Sequence, residues 1–265
     1  MQAWVGLEVG EGVGCGRGEL ARLGVAELVL IDNETVDATN LPRLPAAERS
    51  DVGKPKTDLA ARNATRANPQ IRLTTVRRRV EDPEALRELV RCDWIFLAAD
   101  SHSARHWVNA VVHEFLIPAT QVAVKIPVSP DGEVGQIHTA TRLIAPGIGC
   151  LWCNGLIDST ELAIEMHPEA ERQQARYVPG IPAPSVMPFN TLAVGEAVTH
   201  FLLASASLHE NDDDLGSVIH RPRTRERHLQ DPRQNTHCRW CTSTGNLGRG
   251  ANGEVATLQT VATPS

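Results

Sequence analysis

The chain has 265 residues, 42% of them hydrophobic, and a formal net charge of −6 at pH 7. This length suits one large domain or two small ones, and the apolar fraction is sufficient for a buried core. The acidic balance, with no basic run longer than 77–79, argues against an extended nucleic-acid interface. No stretch approaches the roughly 18 apolar residues of a membrane span, and the N-terminus lacks a signal-peptide pattern, so a cytoplasmic protein without membrane contact is expected.

The first predicted strand covers residues 5–9 and leads into a glycine-rich loop that contains Gly10, Gly12 and Gly14. A glycine-rich loop that opens a helix exposes backbone N–H groups to phosphate and lets a ligand approach closely. Taken alone, the loop is a weak indication of nucleotide binding, because glycine runs are common in loops.

The second predicted strand, residues 28–31, is a short apolar run that ends at Asp32. Parallel strands end in this way at the edge of an open sheet where ligands bind. A carboxylate about 20 residues past a glycine-rich turn is placed to accept hydrogen bonds from a ribose. Asn40, Arg43 and Lys56 follow, and the two cations suit a triphosphate better than a dinucleotide. Solvated surface charges are the ordinary alternative for these two side chains.

The next segments alternate between helix and strand. Helical periodicity covers residues 57–67, a strand pattern covers 71–76, and a second helix is predicted over 82–91. An apolar strand over 93–99 then ends at Asp100, at the same sheet edge as Asp32. A cap of the following helix is the ordinary alternative for this aspartate. This alternation predicts an α/β fold, a Rossmann-like doubly wound sheet that is mostly parallel.

The second half of the chain continues this pattern and then departs from it. A helix is predicted over residues 103–116 and a strand over 119–124, and alternation over 134–141 predicts an antiparallel extension of the sheet. Residues 158–176 are interpreted as a crossover loop or surface helix, and the apolar stretch 190–208 as a core or dimer-interface helix.

Four of the six cysteines form two C-x-x-C pairs, and without a secretion signal this pattern favours a metal site over disulfides. The predicted zinc ligands are Cys150, Cys153, Cys238 and Cys241. Two such turns complete a tetrahedral thiolate site for Zn²⁺, and since all four positions are protein ligands the site is structural. Four ordinary buried cysteines are the alternative. A tryptophan inside each pair is expected to cover the metal.

His102 and His106 have the spacing H-x-x-x-H, but the glutamate that a zinc-hydrolase helix carries beside its first histidine is missing. Both are therefore interpreted as surface residues at the start of a helix.

The motif positions between Asp32 and Lys56 carry a family resemblance. They resemble the D-x-D-x-V-E-x-x-N-x-x-R … D-x-G-x-x-K signature of the ThiF/MoeB/ubiquitin-activating superfamily, over about residues 10–250. The matching residues are Asp32, Glu34, Val36, Asp37, Asn40, Arg43, Asp51, Gly53 and Lys56. Glu34 and Asp37 each replace one acid of the signature by the other.

The resemblance implies an adenylyltransferase that uses ATP and Mg²⁺ to activate the C-terminal glycine of a ubiquitin-like or sulfur-carrier protein. It implies that Asp32 binds the ribose, that Asn40 orients the phosphates, that Arg43 and Lys56 contact them catalytically, and that Asp100 holds Mg²⁺. It also implies a homodimer formed through the helices near 103–116 and 190–208.

Further expectations concern the reaction product, the bounds of the domain and the alternative functions. No cysteine occurs between residues 154 and 188, where the family's thioester-forming cysteine would lie, so the product should be the adenylate. Residues 1–245 would form the adenylation domain and 246–265 a disordered tail. A scaffold subunit that binds a carrier without using ATP is the alternative function, and an NAD-linked dehydrogenase is a third, which leaves the cations and the cysteines unexplained.

Overall fold

The computed structural model describes residues 4–8, 16–167, 184–211 and 214–250, with side chains from residue 18 onward. The strands are β1 (Trp4–Glu8), β2 (Glu27–Ile31), β3 (Arg72–Val76), β4 (Trp94–Leu97), β5 (Ala119–Lys125), β6 (His138–Ile144), β7 (Val218–Arg221) and β8 (Glu226–Leu229). The helices are α1 (Gly16–Leu23), α2 (Lys56–Ala67), α3 (Pro83–Leu89), α4 (His102–Phe115), α5 (Ser159–Glu165) and α6 (Met187–Ser205).

All these strands form one sheet with the order β3-β2-β1-β4-β5-β6-β7-β8. Neighbouring strands from β3 to β5 pair in parallel, and the pairs from β5 to β8 are antiparallel. The predicted α/β fold with an antiparallel extension is therefore confirmed. The direction of winding reverses between β1 and β4, and ligands of such sheets bind outside the carboxyl ends of the strands at this point.

Side chains of the central strands alternate between two buried cores. In β2, Leu28 and Leu30 pack in the core that includes residues of α1, α2 and α6. Val29 and Ile31 point to the other face, into the core that includes residues of α3 and α4. Because successive side chains of a strand point to opposite faces, a continuous apolar run is what a strand covered on both sides requires.

Local signals fix where α3 and α4 begin. Asp82 caps α3 by accepting a hydrogen bond from the Glu84 N–H, and Pro83 occupies the first turn. Ser101 caps α4, since its Oγ accepts the Ala104 N–H at 3.2 Å. Asp100 is thus not needed as the cap and stays exposed.

The structure refines several boundaries in the second half of the chain. The antiparallel extension begins at His138, and the hairpin of β7 and β8 adds two strands that the sequence pattern did not indicate. Of the interval 158–176, residues 159–165 form α5, while 168–183 lie outside the described residues. The apolar helix over 190–208 is confirmed as α6.

Residues 246–250 are hydrogen-bonded to the end of α4. The Gly248 N–H donates to the His113 carbonyl at 2.8 Å and the Gly250 N–H donates to the Glu114 carbonyl at 2.9 Å. The predicted disorder stays a prediction for residues 251–265, which lie outside the described residues. Among the described residues, no helix combines the length and the apolar character needed to cross a bilayer.

Candidate nucleotide site and metal centre

Two predicted carboxylates lie at the carboxyl edge of the parallel strands. Asp32 directly follows β2, and Asp100 follows β4 after a short connection. β1 pairs with both of these strands and lies between them. The structure therefore places Asp32 and Asp100 on either side of β1 at the point where the winding reverses. Gly10, Gly12 and Gly14 belong to a segment outside the described residues.

Asp32 and Lys56 are connected through Glu34. The Glu34 N–H donates to Asp32 Oδ1 at 2.7 Å, and the Lys56 N–H donates to the Glu34 carbonyl at 2.9 Å. The Lys56 ammonium also forms an ion pair with the Glu34 carboxylate. Lys56 is only 2% exposed, and a buried lysine requires such a partner. The sequence indicated Glu34 as a motif position but did not predict this pair.

Asn40 and Arg43 lie on the 3₁₀ turn Ala38–Arg43 that follows Asp37. Asn40 is buried, and its Oδ1 accepts the Asp37 N–H at 3.0 Å, which helps to fix the turn. Arg43 is at the end of the turn, where its Nη1 donates to the Thr39 carbonyl at 3.0 Å. The structure therefore assigns Asn40 a role in shaping the segment that presents Arg43.

The second half of the motif shapes the loop that leads to Lys56. Asp51 is 1% exposed and binds both ends of the Arg62 guanidinium, at 2.6 and 2.7 Å. This hydrogen-bonded cation keeps the pKa of Asp51 far below its usual value. Gly53 has φ 85°, and its N–H donates to the Val36 carbonyl at 2.8 Å. Asp51 and Gly53 are thus structural residues that align Lys56 with Glu34.

The four predicted cysteine ligands converge, and their sulfur atoms all lie within 4.8 Å of one another. The Sγ atoms of Cys150 and Cys238 are 3.6 Å apart, as are those of Cys153 and Cys241. Sulfurs at about 2.3 Å from a tetrahedral Zn²⁺ would be separated by about 3.8 Å. The donor set and its spacing therefore fit a structural zinc ion.

Backbone hydrogen bonds and burial act in opposite directions on the thiols. Although burial raises the pKa of Cys238, hydrogen bonds from the backbone N–H groups of Cys241 and Trp240 lower it to about 7. Burial raises the pKa of Cys150 and Cys241, so the backbone favours a thiolate at Cys238 and burial opposes one at these two positions. Gly149 allows the two cysteine turns to approach each other, because a Cβ there would lie 2.3 Å from the Arg233 carbonyl oxygen. Asn154 joins the same segments, since its Oδ1 accepts the Arg233 N–H at 2.9 Å.

The prediction that His106 is a surface residue is wrong. Its side chain is 8% exposed and packs against the tryptophans of both cysteine pairs, Trp152 and Trp240, at ring-centroid distances of 5.8 and 5.0 Å. Burial lowers the pKa of His106 to about 4, so the ring is neutral at pH 7. His102 is also not a plain surface residue, because its Nδ1 accepts the Asp158 N–H at 3.0 Å. Only the tertiary contacts show these roles.

Comparison with known proteins identifies the family of the chain. Residues 12–239 match the family model described as the ThiF family. The chain belongs to the ThiF family. Two relatives from Escherichia coli (strain K12) carry adenylyltransferase names. The molybdopterin-synthase adenylyltransferase is 34% identical over 100 residues, which is 37% of this chain and 40% of the relative. The sulfur carrier protein ThiS adenylyltransferase is 32% identical over 135 residues, which is 50% of this chain and 51% of the relative.

The matched region thus spans about half the length of these two relatives, at 40% and 51%. Among solved structures, E. coli MccB with ATP superposes with a TM-score of 0.67 and 22% identity, over 90% of this chain and 66% of MccB. At that identity the likeness shows a shared fold.

Proposed function

We propose that this ThiF-family chain is an ATP-dependent adenylyltransferase. It would activate the C-terminal glycine carboxylate of a ubiquitin-like or sulfur-carrier protein and form an acyl-adenylate and pyrophosphate. The observation that carries the proposal is the linked group of Asp32, Glu34 and Lys56 at the sheet edge, with Asp100 across β1. The names of the relatives, which include a sulfur-carrier adenylyltransferase and a SAMP-activating enzyme E1, support the same reaction class.

In this proposal the side chains provide binding and charge rather than a base. Asp32 would accept hydrogen bonds from the ribose, and Asn40, Arg43 and Lys56 would orient and neutralise the phosphates, with help from the N–H groups of the glycine loop. Asp100 would hold Mg²⁺, since a carboxylate oxygen is a ligand that this ion prefers.

The chemical step needs cations because both reactants are anions. A C-terminal carboxylate has a pKa of about 3.5 and is already ionised at neutral pH. One of its oxygens would attack the α-phosphorus of ATP, and the bond from that phosphorus to the bridging oxygen would break. The departing pyrophosphate takes the electron pair. Arg43, Lys56 and the ion on Asp100 would lower the barrier by alignment and by stabilising the developing charge.

The cysteine cluster would hold Zn²⁺ as a structural ion, because its four sulfurs fill a tetrahedral site and leave no position for a reacting water. Residues 1–245 would form the adenylation domain. Two copies would associate through the helix near 190–208, as the family resemblance suggests, whereas the helix near 103–116 is already buried within the chain along most of its length.

The test is ATP–pyrophosphate exchange with a panel of small proteins that end in glycine. We expect exchange that depends on one of the carriers, and a loss of at least about tenfold in Asp100→Asn, because a magnesium ligand is weakened. Asp131→Asn is the matched control, since Asp131 is exposed in the turn between β5 and β6. Absence of exchange with every carrier, by protein that binds ATP, would contradict the proposal.

One observation favours the scaffold alternative. The Glu34 carboxylate already neutralises Lys56, which is more deeply buried than Arg43, the other proposed phosphate-binding cation. If this pair were permanent, the chain would dock a carrier without using the nucleotide. Titration calorimetry with ATP and Mg²⁺ separates the two functions, because the scaffold predicts carrier binding without ATP binding.

A further inference from the structure

α4 connects the two sites described above. Its first residue follows Asp100 after the capping Ser101, and its second turn lies against the cysteine cluster. The helix is buried along most of its length. Any contact that fixes α4 therefore also bears on the position of Asp100.

The middle of α4 is held by the cysteine pairs themselves. Asn109 is fully buried, and its Oδ1 accepts the Leu151 N–H from inside the first pair at 2.9 Å. One turn earlier, His106 accepts the Trp152 indole N–H at 3.3 Å through Nδ1 and packs edge-to-face against Trp240 of the second pair. Both pairs thus contact the same face of the helix, because positions three residues apart are neighbours on a helix surface.

The first turn of α4 is held by the segment that follows the first cysteine pair. The Ser103 N–H donates to Glu165 Oε2 at 2.8 Å. The Arg105 Nη1 donates to the Leu156 carbonyl at 3.1 Å, and the Asp158 N–H donates to His102. The N–H groups of a first helical turn have no partner within the helix and attract negative charge, so the Glu165 carboxylate is well suited to this place.

The last turn of α4 is held by the segment that follows the second cysteine pair. The Gly248 and Gly250 N–H groups donate to the last carbonyls of the helix, and the Asn246 side chain donates to Glu114 Oε1 at 3.3 Å. The last carbonyls of a helix have no partner within the helix, and the Gly248 and Gly250 N–H groups provide partners from outside it.

The segments that hold the first and last turns of α4, residues 156–165 and 246–250, are far apart in sequence, but the cysteine pairs that precede them lie together. Cys150 and Cys238, whose sulfurs are 3.6 Å apart, are separated by 88 positions. We propose that the cysteine cluster, when it holds its metal, is a clasp that positions Asp100 through α4, with Glu165 as the positioning residue at the catalytic end. The functional part of this inference rests on the proposed adenylyltransferase activity, while the mechanical part does not.

The first measurement is independent of activity. Hydrogen exchange is followed in the full chain as purified, after removal of zinc by a zinc-selective chelator, and after zinc is added back. We expect the amides of the first turn of α4 to exchange at least about tenfold faster without zinc and to recover when zinc returns. The amides of α2 serve as the internal control, because α2 packs in the core on the opposite face of the sheet. Unchanged protection of α4 would overturn the clasp.

The second measurement tests the link to Asp100. In Glu165→Ala we expect the Mg²⁺ concentration for half-maximal ATP–pyrophosphate exchange to rise roughly tenfold, with the half-saturating carrier concentration unchanged, since a misplaced ligand weakens one ion site. Glu165→Gln keeps an acceptor and should recover part of the loss. Glu161→Ala, on the exposed side of the same helix, is the matched control.

The outcomes of the two measurements are distinguishable. If the wild-type chain shows no exchange with any carrier, the proposed function fails, and hydrogen exchange still decides whether the clasp exists. If the wild type is active and Glu165→Ala has the magnesium dependence of the wild type, the positioning role of Glu165 is refuted. A rise in half-saturating carrier concentration of the same size as the magnesium effect would also refute it, because that pattern indicates general loss of structure.

Discussion

The ion pair between Glu34 and Lys56 makes a direct prediction about ATP affinity. Bound phosphates would have to replace the Glu34 carboxylate as the partner of the Lys56 ammonium, and the carboxylate would also repel them. Substitution Glu34→Gln removes both obstacles while it keeps a side chain of similar size. We therefore expect the variant to bind ATP more tightly than the wild-type chain does.

The size of the effect follows from the exposure of the two groups. Lys56 is 2% exposed, but the Glu34 side chain is 58% exposed, so the pair is much weaker than a fully buried one. Hydrogen bonds to charged groups contribute about 1.5–3 kcal/mol and exposed ion pairs about 0–1 kcal/mol. A value near 1 kcal/mol corresponds to about a fivefold change in Kd.

Titration calorimetry with a non-hydrolysable ATP analogue and Mg²⁺ measures the change, and AMP provides the comparison because it lacks the β- and γ-phosphates. We expect the gain for the ATP analogue and none for AMP. Glu34→Asp, which restores the acid of the family signature, should give an intermediate value. Glu133→Gln, an exposed acid in the turn between β5 and β6, is the matched control. Weaker binding of the analogue by a folded Glu34→Gln protein would refute the reasoning.

Three other changes have defined outcomes. Asp51→Ala removes the carboxylate that accepts from the Arg62 guanidinium and the Glu48 N–H, and leaves Arg62 the Ala46 carbonyl as its acceptor. We expect a loss of about 2–4 kcal/mol in the free energy of unfolding, and a loss below 1 kcal/mol in urea titrations would contradict it. Gly149→Ala should lower zinc content, measured by metal analysis, because its Cβ meets the Arg233 carbonyl at 2.3 Å. Gly195→Ala in α6 is the control and should not lower it, because no atom lies within 4 Å of that Cβ. Burial lowers the pKa of His113 to about 4 in the folded chain, so the unfolded state binds more protons between about pH 6.5 and 4. Stability should therefore fall as pH falls through this window, and the slope should be smaller in His113→Phe.

Much of the fold could be predicted because its signals are local. A pattern of a few neighbouring residues was enough to predict the apolar strands that end at Asp32 and Asp100. The same is true of the helix end at Asn68. The hairpin of β7 and β8 was missed because each strand has only four residues, of which two in β7 and three in β8 are charged or polar. Short strands of this kind are stabilised by pairing with neighbours rather than by their own pattern.

The candidate site was predictable in part for the same reason. The spacing of each C-x-x-C pair is a local feature, and it correctly predicted a four-sulfur cluster. The roles of His106 and Glu165 had no local signal, because each depends on a segment more than forty positions away, at separations of 46 and 62 residues. Asp51 has the appearance of a ligand-binding acid in the motif, and only its contact with Arg62 shows that it is structural.

By itself, the amino-acid sequence determined the doubly wound α/β class, the acidic ends of β2 and β4, and the four sulfurs available for a metal, since each of these depends on residue type and short-range spacing. The tertiary structure alone decided that Glu34 neutralises Lys56 and that both cysteine pairs hold α4. These contacts join segments that are remote in the chain, and their partners become defined only when the sheet and its two cores have packed.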